Sequence, residues 1–233
     1  NDRYQFIFLT VRENQVEEAL EDISKNKSPN VVTMVNTIKP YGRWEKICGK
    51  GRILPAFPGA GGCIEGGILD AQLLPRAIQP TTFGEIGGRK SSREEALAYI
   101  FRKSHIPYQI VPEMHHWQIS HLGVIIPLAD AYYQSRHPEK ICANEKLMTL
   151  TAYRMKKNLK WIAQKGMLCP AKLYMIKDMP TGMLAGVLSR VYQSEFGNKF
   201  LYRHAMHAPE EFQRLHQEFY NYMKTHTKES NKA

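Results

Sequence analysis

The 233 residues allow one large domain or two small ones, and 43% hydrophobic content is that of an ordinary globular protein. A formal charge of +10 favours anionic partners but does not separate nucleic acid from a phosphorylated cofactor or a small carboxylate. No apolar stretch reaches the length of a bilayer span; the longest candidate, Leu122 to Ala131, is interrupted by Pro127, so no membrane contact is expected.

Cys48, Cys63, Cys142 and Cys169 are scattered without a CxxC pair, and nothing reads as a secretory signal. They are expected as reduced thiols in a cytoplasmic protein.

The chain opens with Tyr4 to Val11, an apolar run that suits a strand covered on both faces. Arg12 to Ser24 follows with Val16, Leu20 and Ile23 at helical spacing, and Asn30 to Val35 is a second buried strand. Such a strand, helix, strand unit has a right-handed crossover. A sheet that begins on a central-looking strand is expected to have partners upstream of Asn1, or else an exposed edge or pairing with another chain. Asn36 stands where the second strand ends. In open α/β sheets ligands bind beyond the carboxyl ends of the strands, where an amide offers two donors and an acceptor. Turn chemistry is the commoner role for an Asn followed by Lys39-Pro40-Tyr41-Gly42. A helix-sized segment then leads to Arg52 to Phe57, which breaks at Pro58; Gly59-Ala60-Gly61-Gly62 allows a close backbone approach or a tight turn.

Gly67 to Leu74 and Arg76 to Phe83, separated by Pro75, read as strands added antiparallel to the sheet. Ser91 or Ser92 can cap a helix with Glu94 and Glu95 in its first turn and Ala96, Leu97 and Ile100 on its apolar side. Pro107 to Val111 closes the α/β part, and Pro112 marks its expected boundary. The predicted architecture is thus α/β plus all-α: a partial Rossmann-type sheet unit over residues 1–111, a helical domain over 112–225 and a polar tail over 226–233.

In the helical part, Glu113 to Tyr133 is apolar on most sides, as a central helix should be. Pro127 cannot bond the carbonyl of Gly123, so a kink or a local polar partner is expected there. Lys146 to Gln164 carries Met148, Ala152, Met155, Leu159 and Ile162 on one face. Its stripe of Lys156, Lys157 and Lys160 reads as a solvated face, since no aromatic interleaving accompanies it and no nucleic-acid partner is expected. Thr181 to Val191 and Pro209 to Met223 complete the helices.

The histidine spacing does not suit a metal: His115 and His116 are adjacent, no HExxH occurs, and His204 and His207 lack a third ligand nearby. Gly59-x-Gly61 leads into a strand instead of a helix, so it is not a dinucleotide fingerprint. Asn36, His121 and Glu211 remain as candidate site residues. His121 shares a face with Met114, Trp117, Val124 and Leu128, for which a core histidine with one hydrogen bond is the commoner role. Glu211 lies in the first turn after Pro209, where the helix dipole favours a carboxylate whatever its function.

Val11-Arg12 with Gln15, the strand ending in Asn36, the FPGAGG turn, the TTFGEIGG segment from Thr81, the Trp117 helix with Pro127, and HAMHAPEEFQRL from His204 together resemble the ketopantoate reductase (2-dehydropantoate 2-reductase) family. The likeness runs from about Tyr4 to about Phe219 and rests on the order and spacing of these motifs. It implies a Rossmann-type domain that binds NADPH, a helical C-terminal domain, reduction of a small 2-oxoacid in the cleft between them, and a homodimer. By position it assigns Arg12, Gln15 and Asn36 to the cofactor, and Asn36, Glu211 and His204 to the substrate. The family's GxGxxG turn would lie upstream of Asn1, and its general-acid lysine falls on Ile119. With Ile119 unable to donate a proton, His121 and Ser120 become the nearest candidate donors, and the 2-oxoacid need not be ketopantoate. The alternative is a non-catalytic relative that binds a small anionic ligand or a protein partner.

Overall fold

A computed structural model describes residues 2–230, apart from the side chains at 63, 65 and 228–230. It divides into two compact units, 1–61 with 71–118, and 62–70 with 119–233.

Unit 1 is built on a five-stranded sheet of order β1-β2-β3-β6-β7. β1 (Ile7–Leu9), β2 (Val31–Met34) and β3 (Ile53–Phe57) are parallel, in the register Ile7 to Val31 and Val32 to Leu54. β6 (Thr81–Phe83) joins β3 antiparallel, and β7 (Tyr108–Ile110) runs parallel to β6. Alternation along the strands makes two cores. On one face Val31, Val35 and Ile53 pack with Leu20 of α1 (Val16–Ser24) and Trp44 of α2 (Gly42–Cys48). On the other, Val32, Leu54 and Phe83 pack with Leu97 and Phe101 of α3 (Ser92–Lys103). This is the predicted Rossmann-type α/β unit, with β1 beside β2. β1 is shorter than Tyr4 to Val11, and as the edge strand it leaves Phe8 43% exposed.

The Gly67 to Leu74 strand does not join that sheet. β4 (Ala60–Glu65) and β5 (Ile68–Leu73) pair with each other instead, across Gly66 and Gly67, whose φ values of 57° and 79° suit a two-residue hairpin turn. Between Pro75 and Pro80 the chain turns, and only Thr81 to Phe83 of the expected second strand is extended.

Two arginines hold the strand starts and helix ends of unit 1. The Arg52 guanidinium donates to the carbonyl of Cys48, the last residue of α2, and to those of Asn26 and Ser28 in the loop after α1. Arg93 donates to the carbonyls of Gly51 and Ile53 and pairs with Glu85, which also accepts from Ser91. Ser91 itself caps α3 by accepting from Glu94 N–H, while the Glu94 carboxylate accepts from Ser91 N–H. Burial works to raise the Glu85 carboxyl, but the bonds and charge of Arg93 with the Ser91 hydroxyl outweigh it and hold it below the usual range. Arg93→Ala leaves Glu85 buried and unpaired; we expect a loss of roughly 3 kcal/mol in denaturant unfolding at neutral pH. The loss should shrink as pH falls through the ordinary carboxylate range, because a depressed carboxyl stabilises only while ionised.

No strand occurs among the described residues after Ile110. Unit 2 takes in most of α4 (Met114–Gln134), then α5 (Glu145–Gln164), α6 (Lys172–Asp178), α7 (Thr181–Gln193), α8 (Arg203–His207) and α9 (Pro209–Ser230). α9 runs through residues expected as a polar tail, because Trp161 Nε1–H donates to Thr227 Oγ1 and Lys165 Nζ to His226 O; 231–233 lie outside the described residues. In the lysine stripe of α5, Lys156 is turned to the carbonyl of Met179, while Lys157 and Lys160 are exposed. Cys48, Cys142 and Cys169 are thiols without a disulfide; the Cys63 side chain lies outside the described ones.

Pro127 sits inside α4, and the carbonyl of Gly123 that it leaves without a helical partner accepts from Asn158 Nδ2 of α5 at 3.2 Å. Asn158 is 1% exposed. A Cβ at Gly123 would lie 2.7 Å from Ile162 Cδ1, so a larger residue there would require the end of that side chain to move. Asn158→Leu should cost about 2 kcal/mol by chemical denaturation, since it orphans a buried carbonyl. In a Pro127→Ala background, where the helical bond can re-form, the same substitution should cost at least about 1 kcal/mol less.

Candidate functional site

In unit 1 the carboxyl ends of β1 and β2 lie side by side, because the two strands are parallel neighbours. β1 leads to Arg12 and a 3-10 turn over Glu13–Gln15; β2 leads to Val35 and Asn36. The sequence-predicted Arg12, Gln15 and Asn36 therefore come to one end of the sheet. Arg12 and Gln15 are exposed, and Gln15 Oε1 accepts from the Arg12 backbone N–H at 3.2 Å.

Past the end of β2 the backbone is secured by side chains. Gln118, 1% exposed, donates from Nε2 to the carbonyl of Val35 at 2.7 Å, and its Oε1 accepts from Tyr41 Oη at 2.7 Å. Burial, with Glu113 adding to it, pushes the Tyr41 phenol well above its ordinary value, so it stays a donor. The turn after Asn36 is closed by Thr37, whose Oγ1 accepts from Lys39 N–H. Asn36 is thus not needed for the turn. Its Oδ1 is buried and has no hydrogen-bond partner among the described residues. A buried carbonyl oxygen without a donor is costly, and this one belongs to a residue just past the carboxyl end of β2, the end at which this class of sheet takes ligands.

Sequence reasoning missed the charges beside this position. Glu13 is 5% exposed and accepts from both Lys39 and Arg43, while Arg43 also bonds Glu17 at 2.9 Å and lies 4.9 Å over the Trp44 ring. Only the pairing of α1 with α2 brings Glu13 and Arg43 together, and no spacing rule reveals it. Phe57, at the end of β3, packs tilted against Trp117, with ring centroids 5.4 Å apart. Gly59 is a packing glycine: a Cβ there would lie 2.2 Å from Thr81 N.

In unit 2, Ser120 is fully buried and committed: its Oγ donates to Met167 O at 3.2 Å and accepts from Cys169 N–H at 3.0 Å. Ile119 is fully buried as well. His121, His204 and Glu211 lie close enough for their charges to act on one another in sequence. Burial first, then His204, lowers His121 to about 4. Burial also lowers His204 against the opposing pull of Glu211, and the His204 ring packs edge-on to Phe212 at 5.1 Å. At neutral pH His121 is therefore a neutral imidazole that can give or take one hydrogen bond. No cluster of three or more His, Cys, Asp or Glu able to hold a metal is present among the described residues.

No family model matches the chain, and no curated protein does. Solved structures do match. The 2-dehydropantoate 2-reductase of Geobacter metallireducens aligns with a TM-score of 0.59 at 16% identity, covering 91% of this chain and 72% of that one. A dimeric ketopantoate reductase from Staphylococcus aureus aligns at 0.58 and 11% identity, covering 96% and 78%. The chain has the ketopantoate reductase fold. D-mandelate dehydrogenase in complex with NADH shares this fold at a TM-score of 0.55 and 13% identity, covering 96% of this chain and 80% of that one. No helix among the described residues is long and apolar enough to cross a membrane.

Nuclear magnetic resonance of the histidine rings should show His121 in its neutral form down to pH 5 and titrating near 4, with an upward move in His204→Gln. Its folded value lies below the ordinary 6.5, so stability is full above 6.5 and falls as pH drops toward 4, where only the unfolded chain gains the proton. That slope should be weaker in His121→Gln.

Proposed function

We propose that this chain is part of an NADPH-dependent reductase of a small 2-oxoacid, with the cofactor's nicotinamide end at the strand-end crevice of unit 1. The single observation that carries this reading, beside the fold, is the buried, unpartnered Oδ1 of Asn36. A carboxamide N–H or a hydroxyl is the partner it lacks. Bound there, a reduced nicotinamide would supply the hydride. Arg12 and Gln15 lie on the turn that follows the neighbouring strand, exposed and able to meet an anionic cofactor. Among the described residues the Gly59 to Gly62 run offers no cradle for a pyrophosphate, because it enters β4 and not a helix.

Glu211 and His204 are the groups we assign to the substrate, with His121 as the donor to its carbonyl oxygen. Held neutral, His121 would polarise the carbonyl through an N–H bond, and the alkoxide left by hydride addition would take its proton from water. Ser120 is left out of the chemistry because both its bonds are used within the helical unit. We also assign a homodimer and the cytoplasm, the latter because Cys48, Cys142 and Cys169 stay unpaired. A second reading, a non-catalytic binder of a small anion, is favoured by one observation: at neutral pH neither Ile119 nor the neutral His121 is a cationic acid.

The test is oxidation of NADPH by the intact protein against a panel of branched and aromatic 2-oxoacids. Turnover with at least one of them is expected. Asn36→Ala should then lower kcat by about a hundredfold, the scale of losing one positioned hydrogen bond in a reacting complex. His121→Phe should do likewise, while His121→Gln, which keeps an N–H donor, should lose less than about tenfold. Binding of a 2-oxoacid without any turnover would favour the second reading; no binding of either NADPH or a 2-oxoacid would remove both.

A further inference from the structure

The helical unit carries a groove of about 780 Å³ walled by α4, α5 and α9 that the reading above does not use. This volume falls within the range of roughly 300–1,000 Å³ usual for small-molecule sites. Its walls are mainly apolar and aromatic, from Leu150, Tyr153 and Trp161 on α5 to Tyr220 and Met223 on α9. Such a surface takes a hydrophobic body.

Its charges are unbalanced. Arg154, Lys157 and Lys224 line the groove, and none has an ion-pair partner among the described residues. Asp130 is the one carboxylate on the described walls, and it is already engaged: both its oxygens lie within hydrogen-bond reach of His216 Nδ1, at 3.0 and 2.9 Å. That contact fixes the imidazole so that Nε2 is the nitrogen left over, and the ring lies 4.7 Å from Tyr220. The floor is polar and buried, since Asn158 is spent on Gly123 O and Tyr220 Oη. An occupant therefore needs an apolar ring or branched chain and one negative end.

We propose that this groove is a binding site for a small carboxylate with an aromatic or branched apolar body. The body lies against Leu150, Tyr153, Trp161 and Met223, and the carboxylate meets Arg154 with Lys157, where a planar guanidinium can take both oxygens. His216, set by Asp130, offers Nε2 as a further polar contact. The inference does not depend on the reductase reading: it stands on residues that reading leaves out.

Isothermal titration of the full chain with naphthylacetate, and with naphthylacetamide as its neutral counterpart, tests it. The acid should bind at least about tenfold more tightly than the amide, the equivalent of about 1.4 kcal/mol. Arg154→Gln should weaken the acid by about tenfold and leave the amide unchanged. Leu150→Trp, at a position 39% exposed and so open to a larger side chain, should fill the groove and abolish both. Circular dichroism and the melting temperature establish that each variant is folded; if Leu150→Trp is not, Arg154→Gln decides. Equal affinity for acid and amide, unchanged affinity in Arg154→Gln, or no binding at all would overturn the proposal. So would light scattering that shows a dimer which Leu150→Trp converts to monomers, for then the groove belongs to a second copy of the chain.

Discussion

The structure depends on how it disposes of backbone carbonyls that its own regular elements cannot pair. β2 ends at Met34, so the Val35 carbonyl has no ladder partner, and Pro127 removes the donor that Gly123 O would have had inside α4. In both places a buried carboxamide supplies the missing N–H: Gln118 to Val35 and Asn158 to Gly123. The two are 1% exposed, so neither bond competes with water, and each is worth more as a safeguard against an orphaned carbonyl than as an attraction. Against that pattern Asn36 stands out. It is a third carboxamide with a buried oxygen, yet nothing in the described chain uses that oxygen. Other buried polar atoms, Thr33 Oγ1 and Trp44 Nε1 among them, also lack a partner in the described chain, but Asn36 is the one that follows the end of β2, on the side where open α/β sheets take ligands.

Arginines do at the strand starts what the carboxamides do elsewhere. Arg52 gathers the last carbonyl of α2 and carbonyls of the loop after α1, and Arg93 ties the carbonyls before and within β3 to the Glu85 carboxylate. The guanidinium fork suits this because several donors in one plane reach several carbonyls at once. The consequence is positional. With both rims of the sheet held by polar contacts, the apolar layers on its two faces fix the order of strands, and the end of β2 is delivered to the same place as the end of β1. That order is why Arg12 and Asn36, 24 positions apart, come to the same end of the sheet.

Much of this was legible in the sequence where periodicity is strong. The buried runs around Val31 and Ile53, the Ser91 cap, the long Trp117 helix and the need for a partner at Gly123 all follow from local rules. What was not legible is what depends on tertiary pairing. Gly66-Gly67 turned the Gly67 to Leu74 strand onto β4 instead of the main sheet, since two successive glycines at positive φ close a hairpin. Glu13 with Arg43, and Asp130 with His216, are 30 and 86 positions apart, so neither pair leaves a spacing signal. The role of Asn36 could be separated from turn chemistry only by seeing that Thr37 does the turn's work.

Position 119, where the resemblance would put a general-acid lysine, carries an isoleucine instead. Ile119 is fully buried, and an ammonium placed in such surroundings would be disfavoured by desolvation, with its pKa lowered toward the neutral range that an acid catalyst needs. Isoleucine there removes that cost along with the proton. The next residue does not restore it, because the Ser120 hydroxyl ties Met167 O and Cys169 N together. One position further on, His121 is polar but held near 4 by burial and by His204, so it too meets neutral conditions without a charge. This stretch of α4 is therefore electrically neutral from 119 to 121, and any stabilisation it gives to a developing alkoxide is that of a dipole, weaker than that of a cation at the same distance. The unpaired cations of the helical unit lie elsewhere, on α5 and α9. The helical unit thus separates its two kinds of charge stabilisation, with dipoles on this stretch of α4 and cations along the groove of α5 and α9.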